Sequence, residues 1–311
     1  MIALVGYTGF VGSNILMGSA GKINSVYNTK NISEAFGTKP DILIFAGLRA
    51  EKYLANSAPE KDMNLIQEAQ DNITKIAPKK LILISTIDVF NNPVNVTEHS
   101  PISTENLHPY GLNRYRFEQW ARNNYPNSTI IRLPGLFGKN IKKNFIYDYL
   151  NVIPFMLKEN KFEELSAIDS DLKKFYVNQN NGFYKVNVSD NDKTLLKEKF
   201  KELGFSALNF TDSRNVYQFY DLSGLWDDIN NCVNSGIELW HPATEPVSAS
   251  EVYEYLTGTT FVNELKGAPV RYDFKTVYAD LFNGEKGYIY NKETVLKRIK
   301  RFVKEYESVN L

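Results

Sequence analysis

Cysteine and histidine are scarce in this chain, and their scarcity narrows the chemistry open to it. Among 311 residues, Cys232 is the only cysteine, and the three histidines are His99, His108 and His241. A single thiol excludes an intrachain disulfide, and so few soft ligands argue against a zinc site. We therefore predict no bound metal.

Net charge and long apolar runs are also lacking. Basic and acidic residues each number 36, so the formal net charge is +0 and offers no general attraction to nucleic acid or to an anionic membrane. No apolar run reaches the roughly 20 residues that a membrane-spanning helix needs. The apolar start "MIALVG" has no basic flank or cleavage site of a signal peptide. We expect a cytoplasmic protein with no nucleic-acid partner and no membrane partner.

The sequence does contain a regular alternation of apolar strands and helices. The apolar runs are "MIALVG", "INSVY", "DILIFAG", "KLILIST" and "STIIRLPGLFG", and helical segments such as "YGLNRYRFEQWARNNY" separate them. Continuous apolar strands between helices are typical of a parallel sheet covered on both faces. The predicted fold class is α/β, a Rossmann-like doubly wound parallel sheet with a smaller C-terminal α/β substrate lobe.

Glycines lie between the first strand and the first helix, in "GYTGFVG". At this place glycines allow a tight turn and the close approach of a pyrophosphate, whose charge is stabilised by amides at the helix N-terminus. Because the motif follows a strand and opens a helix, we predict a dinucleotide site here. Its predicted contacts are Gly6, Thr8, Gly9, Phe10, Val11 and Gly12.

The end of the second strand bears on which dinucleotide is bound. An acid there favours NAD, and a cation accommodates the 2′-phosphate of NADP. Asn28 occupies this place and Lys30 lies close by. We include both in the predicted cofactor site and leave the cofactor as NAD or NADP.

Several of these segments resemble the extended short-chain dehydrogenase/reductase family, in its branch of nucleotide-sugar epimerases, dehydratases and reductases. The resemblance is carried by "GYTGFVG", "IFAG", "ISTIDVF", "YGLNR" and "IRLPGLFG". It covers residues 1 to about 140 and continues more loosely in "RNVYQFYD" and "EPVSASEVYEYL". It implies NAD or NADP as cofactor, with Ala46 and Gly47 among its contacts, a nucleotide-sugar substrate and a homodimer.

The resemblance also implies roles for individual residues. Thr86 takes the place of the hydroxyl that hydrogen-bonds the reacting sugar oxygen, with Ser85 as the alternative, and Tyr110 that of the acid/base tyrosine. The family's lysine four residues later is replaced by Arg114. Since an ordinary phenol has a pKa near ~10, it needs a neighbouring cation to act at neutral pH.

Arginine differs from lysine in ways that matter at this position. A spacing of four puts Tyr110 and Arg114 on one helix face. We therefore predict that Arg114 lowers the pKa of the phenol and binds the nicotinamide ribose. Arg114 thus belongs to both the predicted catalytic site and the predicted cofactor site. A permanently charged guanidinium cannot pass on a proton, so a relay through lysine is lost.

Other departures narrow the reaction. The dehydratases of this family carry an Asp-Glu pair after the threonine, whereas Ile87 and Asp88 stand here, so dehydration is disfavoured. Arg214 begins "RNVYQFYD", where the family's arginine holds the diphosphate of the substrate, although a surface arginine near a helix cap fits equally well. We predict an NAD(P)-dependent reductase or epimerase; the alternative is a catalytically degenerate dinucleotide-binding protein with a sensing or scaffolding role.

The predicted domains follow a change of character near residue 150. Residues 151–205 carry charged helical stretches and match nothing in the family. Asp221 is a plausible helix cap, and Ser248 and Glu251 have the spacing of a capping box. We assign residues 1–150, completed by about 214–243, to an NAD(P)-binding Rossmann domain, and residues 151–213 and 244–311 to a substrate-binding lobe.

Overall fold

The structure is a computed structural model that describes residues 1–310. The helices over this range are α1 Phe10–Gly18, α2 Lys52–Ser57, α3 Pro59–Ile76, α4 Pro109–Asn124, α5 Phe145–Leu150, α6 Glu159–Ile168, α7 Lys193–Glu202, α8 Leu225–Asn234, α9 Ala249–Thr257 and α10 Lys292–Asn310. The strands are β1 Ile2–Val5, β2 Ser25–Tyr27, β3 Ile42–Phe45, β4 Lys80–Thr86, β5 Thr129–Leu133, β6 Gly135–Phe137, β7 Met156–Lys158, β8 Tyr176–Asn178, β9 Phe183–Val186, β10 Val216–Tyr217, β11 Phe219–Asp221, β12 Leu239–Trp240 and β13 Val247–Ser248.

The chain forms two compact units, and the first contains the large sheet. This unit comprises residues 1–141, 216–247 and 270–302. Its six strands lie in the order β12-β5-β4-β3-β1-β2, and all neighbouring strands are parallel. The order reverses at β1, which lies between β2 and β3, so the crevice beyond its carboxyl end is the switch point where such sheets bind ligands. The predicted doubly wound α/β fold is confirmed.

Both faces of this sheet are buried under helices, because apolar residues occupy consecutive positions of its strands. Alternate residues of β1, such as Leu4 and Ala3, enter two different cores. The core on the Leu4 side includes Ile15 of α1 and Trp226 of α8. The core on the Ala3 side is closed by the apolar faces of α3 and α4. This double burial explains why the strands read as continuous apolar runs and not as alternating ones.

The second unit comprises residues 142–215, 248–269 and the chain from Val303 onward. It contains an antiparallel sheet in the order β7-β9-β8. A separate core packs on this sheet, with Leu157 from β7, Phe162 from α6 and Phe200 from α7. The two helices lie in the charged stretches that the sequence predicts to be helical, whereas the three short strands are a finding of the structure.

Two predicted helix caps are confirmed. Ser248 and Glu251 form a reciprocal capping box at the start of α9, and the Asp221 side chain accepts a hydrogen bond from the Ser223 amide. The first segment of the predicted Rossmann domain runs to residue 150, and the first segment of the first unit ends at residue 141. That the second unit binds the substrate stays a prediction. Among residues 1–310, no helix combines the length and apolar character that a membrane crossing requires.

Candidate functional site

The glycine loop lies at the switch point and brings β1, β3 and α1 close together. Gly6 has φ +90°, and its amide donates to the Tyr27 carbonyl at 2.7 Å. A Cβ at Gly6 would overlap the carbonyl of Ala46, and one at Gly12 would overlap the carbonyl of Gly6. Backbone of this kind, without side chains, can be approached closely by a phosphate. Helix α1 starts at Phe10, so the amides of its first turn have no acceptors within the helix.

The residues predicted at the adenosine ribose form a turn of their own. The Asn28 side-chain oxygen accepts from the Lys30 amide at 2.9 Å, and the Asn28 amide donates to the Asn31 side chain at 2.8 Å. Lys30 is exposed. No acid follows β2 directly, so nothing here selects for a free 2′-hydroxyl, and the assignment of Asn28 and Lys30 to the cofactor stays a prediction.

Thr86 and Tyr110 come together at the carboxyl end of β4. Thr86 is the last residue of β4, and its hydroxyl accepts from the Asp88 amide at 3.2 Å. Tyr110 lies in the first turn of α4, is 6% exposed, and lies close enough to Thr86 for that side chain to influence its pKa. The two side chains that the resemblance assigns to catalysis are therefore neighbours.

Gly111 permits this close approach, and its role was not predicted from the sequence. A Cβ at Gly111 would overlap the Asp88 carbonyl. The Gly111 amide donates to Nδ1 of His108, the N-cap residue of α4, at 3.0 Å. The first turn of α4 can thus pack directly on the backbone that follows β4, which seats Tyr110 beside Thr86.

Arg114 lies against Tyr110 but is bound to an acid from another helix. Its guanidinium carbon is 4.6 Å from the centre of the Tyr110 ring, a cation–π distance. Nη1 and Nη2 donate to the two carboxylate oxygens of Asp62 in α3 at 2.9 and 3.0 Å, and Nη2 also donates to the Arg49 carbonyl at 2.9 Å. Both side chains are buried, at 5% and 7% exposure. The positive charge is present at the predicted place and is paired with the Asp62 carboxylate.

The electrostatic balance at Tyr110 favours the neutral phenol. Burial, the largest influence, raises its pKa above the ordinary value. In decreasing order, Arg114 then lowers it, Asp88 raises it, Thr86 lowers it and Asp62 raises it. Arg114 thus acts in the predicted direction but is outweighed. Tyr110 is set up as a proton donor in this state of the protein.

A second ion pair lies beside the same tyrosine. Asp88 accepts from Lys52 Nζ of α2 at 3.1 Å and from the Tyr272 hydroxyl at 2.9 Å. Burial and Asp88 raise the pKa of Tyr272. Lys52 and Asp88 also influence the pKa of His108, which burial lowers. Asp88, Lys52 and Tyr272 therefore belong to the surroundings of Tyr110, and sequence reasoning missed Lys52 and Tyr272.

Ser85 takes part in a different network. Its hydroxyl donates to Glu118 of α4 at 2.5 Å. Glu118 accepts from Arg132 of β5, whose Nη1 is 3.3 Å from Nε2 of His241. Within this structure Ser85 is committed to that buried network, and Thr86 is the hydroxyl that meets Tyr110.

Arg214 lies in the second unit and is held by acids. Its Nε and Nη2 donate to the two oxygens of Asp212 at 2.9 and 2.7 Å, and Nη1 donates to Glu264 at 3.1 Å. The side chain is 40% exposed. Its predicted contact with a diphosphate stays a prediction, and a diphosphate would have to compete with these two carboxylates.

Two buried acids that were not predicted as site residues, Asp62 and Glu118, could be recognised from their positions in the sequence. Asp62 lies on the buried face of α3 together with Ile66, Ala69 and Ile73, at helical spacing. Glu118 similarly follows Phe117 on the buried face of α4. An acid within an apolar stripe requires a buried partner, and Arg114 and Arg132 are those partners.

Among residues 1–310, no group of three or more His, Cys, Asp or Glu side chains is arranged to hold a metal ion. The glycine loop fits a dinucleotide in one respect that the structure tests: side chains are excluded where a pyrophosphate would approach. The Arg114 guanidinium fits the ribose contact less well, since Asp62 and Arg49 occupy both of its terminal nitrogens.

No protein-family model matches the sequence, and no curated protein matches it. Solved structures do match along the whole chain. A dTDP-4-dehydrorhamnose reductase from Bacillus anthracis in complex with NADP has a TM-score of 0.62 at 15% identity, covering 98% of this chain and 97% of its own.

Two further solved structures are similar to this chain to the same degree. A UDP-glucose 4-epimerase from Thermotoga maritima with UDP-glucose has a TM-score of 0.60 at 14% identity, with 99% of both chains covered. A short-chain dehydrogenase/reductase superfamily protein from Agrobacterium tumefaciens with bound NAD has a TM-score of 0.61 at 13% identity, covering 99% and 97%. The chain shares the fold of these proteins over nearly its full length.

Proposed function

We propose that this protein is an NAD(P)-dependent reductase that reduces a keto group of a nucleotide-activated sugar. The observation that carries the proposal is the close packing of the first turn of α4, which carries the buried Tyr110, on the backbone that follows Thr86 at the carboxyl end of β4, in the same unit as the glycine loop. The likeness to a dTDP-4-dehydrorhamnose reductase, to a UDP-glucose epimerase and to an NAD-bound relative supports the general reaction type.

In this proposal the cofactor supplies a hydride when it is bound. Thr86 hydrogen-bonds the carbonyl oxygen of the sugar and orients it. Tyr110 donates its phenolic proton to that oxygen as negative charge develops there. Gly6 to Gly12 bind the pyrophosphate, and Ala46 and Gly47 line the adjoining backbone.

Reduction is preferred to epimerisation because the two reactions start from different forms of Tyr110. An epimerase first removes a proton from a sugar hydroxyl, which requires phenolate beside the oxidised cofactor. A reductase starts from the neutral phenol. Burial together with Asp88 and Asp62 favours the neutral form, so the site is better suited to begin with proton donation.

The experiment is a turnover assay with a variant that lacks only the phenolic oxygen. NADH and NADPH oxidation are followed with dTDP-4-dehydrorhamnose, and formation of epimer with UDP-glucose. Mass spectrometry identifies the nucleotides and nucleotide sugars that co-purify with the protein, and any sugar nucleotide found is added to these two assay substrates. Tyr110→Phe is expected to lower kcat by about 10²–10⁴ with little change in cofactor binding. Unchanged turnover in Tyr110→Phe contradicts the proposal.

The second candidate function is dinucleotide binding without turnover, in a sensing or scaffolding role. It is favoured by one observation: three of the five N–H groups of Arg114 already donate to Asp62 and to the Arg49 carbonyl, which leaves fewer donors for a ribose. Arg114→Lys separates the two functions. An enzyme adapted to the Arg114–Asp62 pair loses rate in this variant, whereas a degenerate site gains rate or shows no hydride transfer before or after the change.

A further inference from the structure

A tyrosine that gives up its proton in every turnover must recover it, and Arg114 cannot supply it. A guanidinium stays protonated at any physiological pH. Asp62 and the Arg49 carbonyl in addition occupy both of its terminal nitrogens. The lysine whose place Arg114 takes therefore has no functional substitute at position 114.

Several titratable or charged groups surround Tyr110 in the first unit. From its own helix come Arg114 and the N-cap His108, whose ring lies at 6.3 Å and nearly parallel. Asp62 of α3, Asp88 after β4 and Tyr272 each interact electrostatically with the phenol. His108 uses Nδ1 to accept from the Gly111 amide, and Asp62 is 7% exposed and bound to Arg114.

Of these groups, Asp88 contacts a charged side chain that reaches solvent. Its Oδ2 is 3.1 Å from Lys52 Nζ, and its Oδ1 is 2.9 Å from the Tyr272 hydroxyl. The exposed fraction of the side chain rises from 18% for Asp88 to 44% for Lys52. A titratable amine in contact with solvent thus joins a half-buried carboxylate beside the catalytic phenol.

We infer that Lys52 and Asp88 form the route by which Tyr110 recovers its proton from solvent, in place of the lysine that the resembled family keeps at position 114. The inference rests on the proposed function. In each turnover the carbonyl carbon gains a hydride and the carbonyl oxygen gains the Tyr110 proton. The resulting phenolate takes the proton of the Tyr272 hydroxyl. The Asp88 carboxylate, which binds both groups, then takes a proton from the Lys52 ammonium and passes it to the Tyr272 oxygen, and water reprotonates the amine.

The first measurement needs neither substrate nor cofactor. With tyrosine labelled at Cζ, in equal parts of H₂O and D₂O, the Tyr110 carbon gives one averaged NMR line when its hydroxyl exchanges fast and two lines when exchange is slow. The wild-type protein is expected to give one line. Asp88→Asn and Lys52→Arg are expected to give two, with exchange slowed by about tenfold or more.

Lys52→Arg is the informative variant because it keeps the ion pair with Asp88 and removes only the ability to release a proton. A purely structural role for Lys52 therefore predicts no effect of this change. Lys52→Ala adds a rescue test, since methylamine is expected to restore fast exchange. The matched control is Lys79→Arg, because Lys79 also pairs with an aspartate, Asp41, at the start of β3 and is 72% exposed.

Turnover of the same variants separates the two proposals. If Lys52→Arg and Asp88→Asn lower kcat by about tenfold at unchanged KM, and shift the pH profile, the route is supported. If either variant keeps wild-type hydroxyl exchange, the route is overturned while the proposed function stands. Unchanged turnover in Tyr110→Phe overturns the proposed function whatever the exchange measurement gives.

Discussion

At the scale of single residues, Arg114 shows that the partner of a charge decides its chemistry as much as its position does. The guanidinium lies over the Tyr110 ring, where the family resemblance places a cation. A carboxylate from α3 holds it there and partly offsets its effect on the pKa of Tyr110. Asp62 is thus a positioning residue for Arg114 and, through it, for Tyr110.

Asp62→Asn tests this arrangement. Removing the acid leaves a buried arginine without its counter-charge, which costs about 3–5 kcal/mol of unfolding free energy. The pKa of Tyr110 is expected to fall, because Asp62 raises it and the field of Arg114 is no longer compensated. Urea denaturation gives the first quantity, and NMR titration of Cζ-labelled tyrosine gives the second. An unchanged or higher pKa contradicts the compensation by Asp62.

Gly6 carries a separate prediction about the glycine loop. Gly6→Ala is expected to cost about 2–4 kcal/mol, because φ +90° is strained for alanine and the new Cβ meets backbone of Ala46 that cannot move away. The control is Gly21→Ala, whose φ of +83° is similar and whose surroundings are open. That change is expected to cost about 1–2 kcal/mol. Thermal or urea unfolding of both variants measures the loss of unfolding free energy. An equal loss in the two variants contradicts a contribution from the close approach of Ala46 to Gly6.

Sequence reasoning named the residues around Tyr110 that follow a motif and missed those that follow from packing. Thr86 and Tyr110, which the motifs named, lie close enough for Thr86 to influence the pKa of Tyr110, and their catalytic roles stay predictions. Lys52 and Tyr272 were not predicted because they lie 36 and 184 positions from Asp88, and only the fold brings them together. Asp62 was within reach of the sequence, since its place in the apolar stripe of α3 requires a buried cation.

At the scale of elements, a buried ion pair joins α4 to the sheet. Glu118 of α4 is fully buried and binds Arg132 of β5, and Ser85 of β4 adds a hydrogen bond. Helix α4 carries Tyr110 in its first turn and Glu118 two turns later. The pair therefore holds the helix that presents the phenol in register with the strand that presents Thr86.

Glu118→Gln is expected to destabilise the protein by about 3–5 kcal/mol, because Arg132 is left buried without a counter-charge. The matched control is Asp41→Asn at the exposed pair with Lys79, where water replaces the lost partner and little change in stability is expected. Chemical denaturation measures both. Similar small losses in the two variants contradict a tie between α4 and β5.

The strands of the large sheet were predictable and those of the small sheet were not, for a physical reason. Strands such as β3 and β4 are buried on both faces, so their apolar runs stand out in the sequence. Strand β7 has one buried residue, Leu157, between exposed Met156 and Lys158, and continues directly into α6. A three-residue strand with one buried side chain has no period of its own to detect.

At the scale of the whole molecule, the apolar stripes of α3 and α4 are largely used within the chain. Ile66, Ile73 and Phe117 are at most 1% exposed and belong to the core under the sheet. Met63 and Trp120 are half-buried. The predicted homodimer stays a prediction, and it would have to be formed by the residues that remain exposed on these helices. Sedimentation equilibrium measures the oligomeric state directly.

Acid sensitivity is a further property of the whole molecule. Burial and then Arg132 lower the pKa of His241 from its ordinary value of 6.5 to about 3. Below pH 6.5 the unfolded chain therefore binds a proton that the folded protein refuses, and stability falls as pH falls. Relative to His241→Gln, the wild-type protein is expected to lose at most about 1.4 kcal/mol for each pH unit between 6.5 and 3.

Urea midpoints at pH 7.5, 6 and 5 measure this difference. The exposed His99 supplies the control variant His99→Gln, which is expected to follow the wild-type curve. Asp228 and Asp148, whose pKa values burial raises to about 6 and about 7, act in the opposite direction and do so equally in all three proteins. Parallel curves for the wild type and His241→Gln contradict the role of His241.

The bidentate contact between Arg114 and Asp62 also constrains which substitutions are tolerated at these two positions during evolution. A single change to lysine at position 114 would place one donor group against a carboxylate that now binds two parallel donors. A single change to a neutral residue at position 62 would leave a buried guanidinium without its counter-charge. Either step alone is penalised, so the two sites are expected to covary. Relatives with lysine at position 114 are expected to lack the acid at position 62 as well.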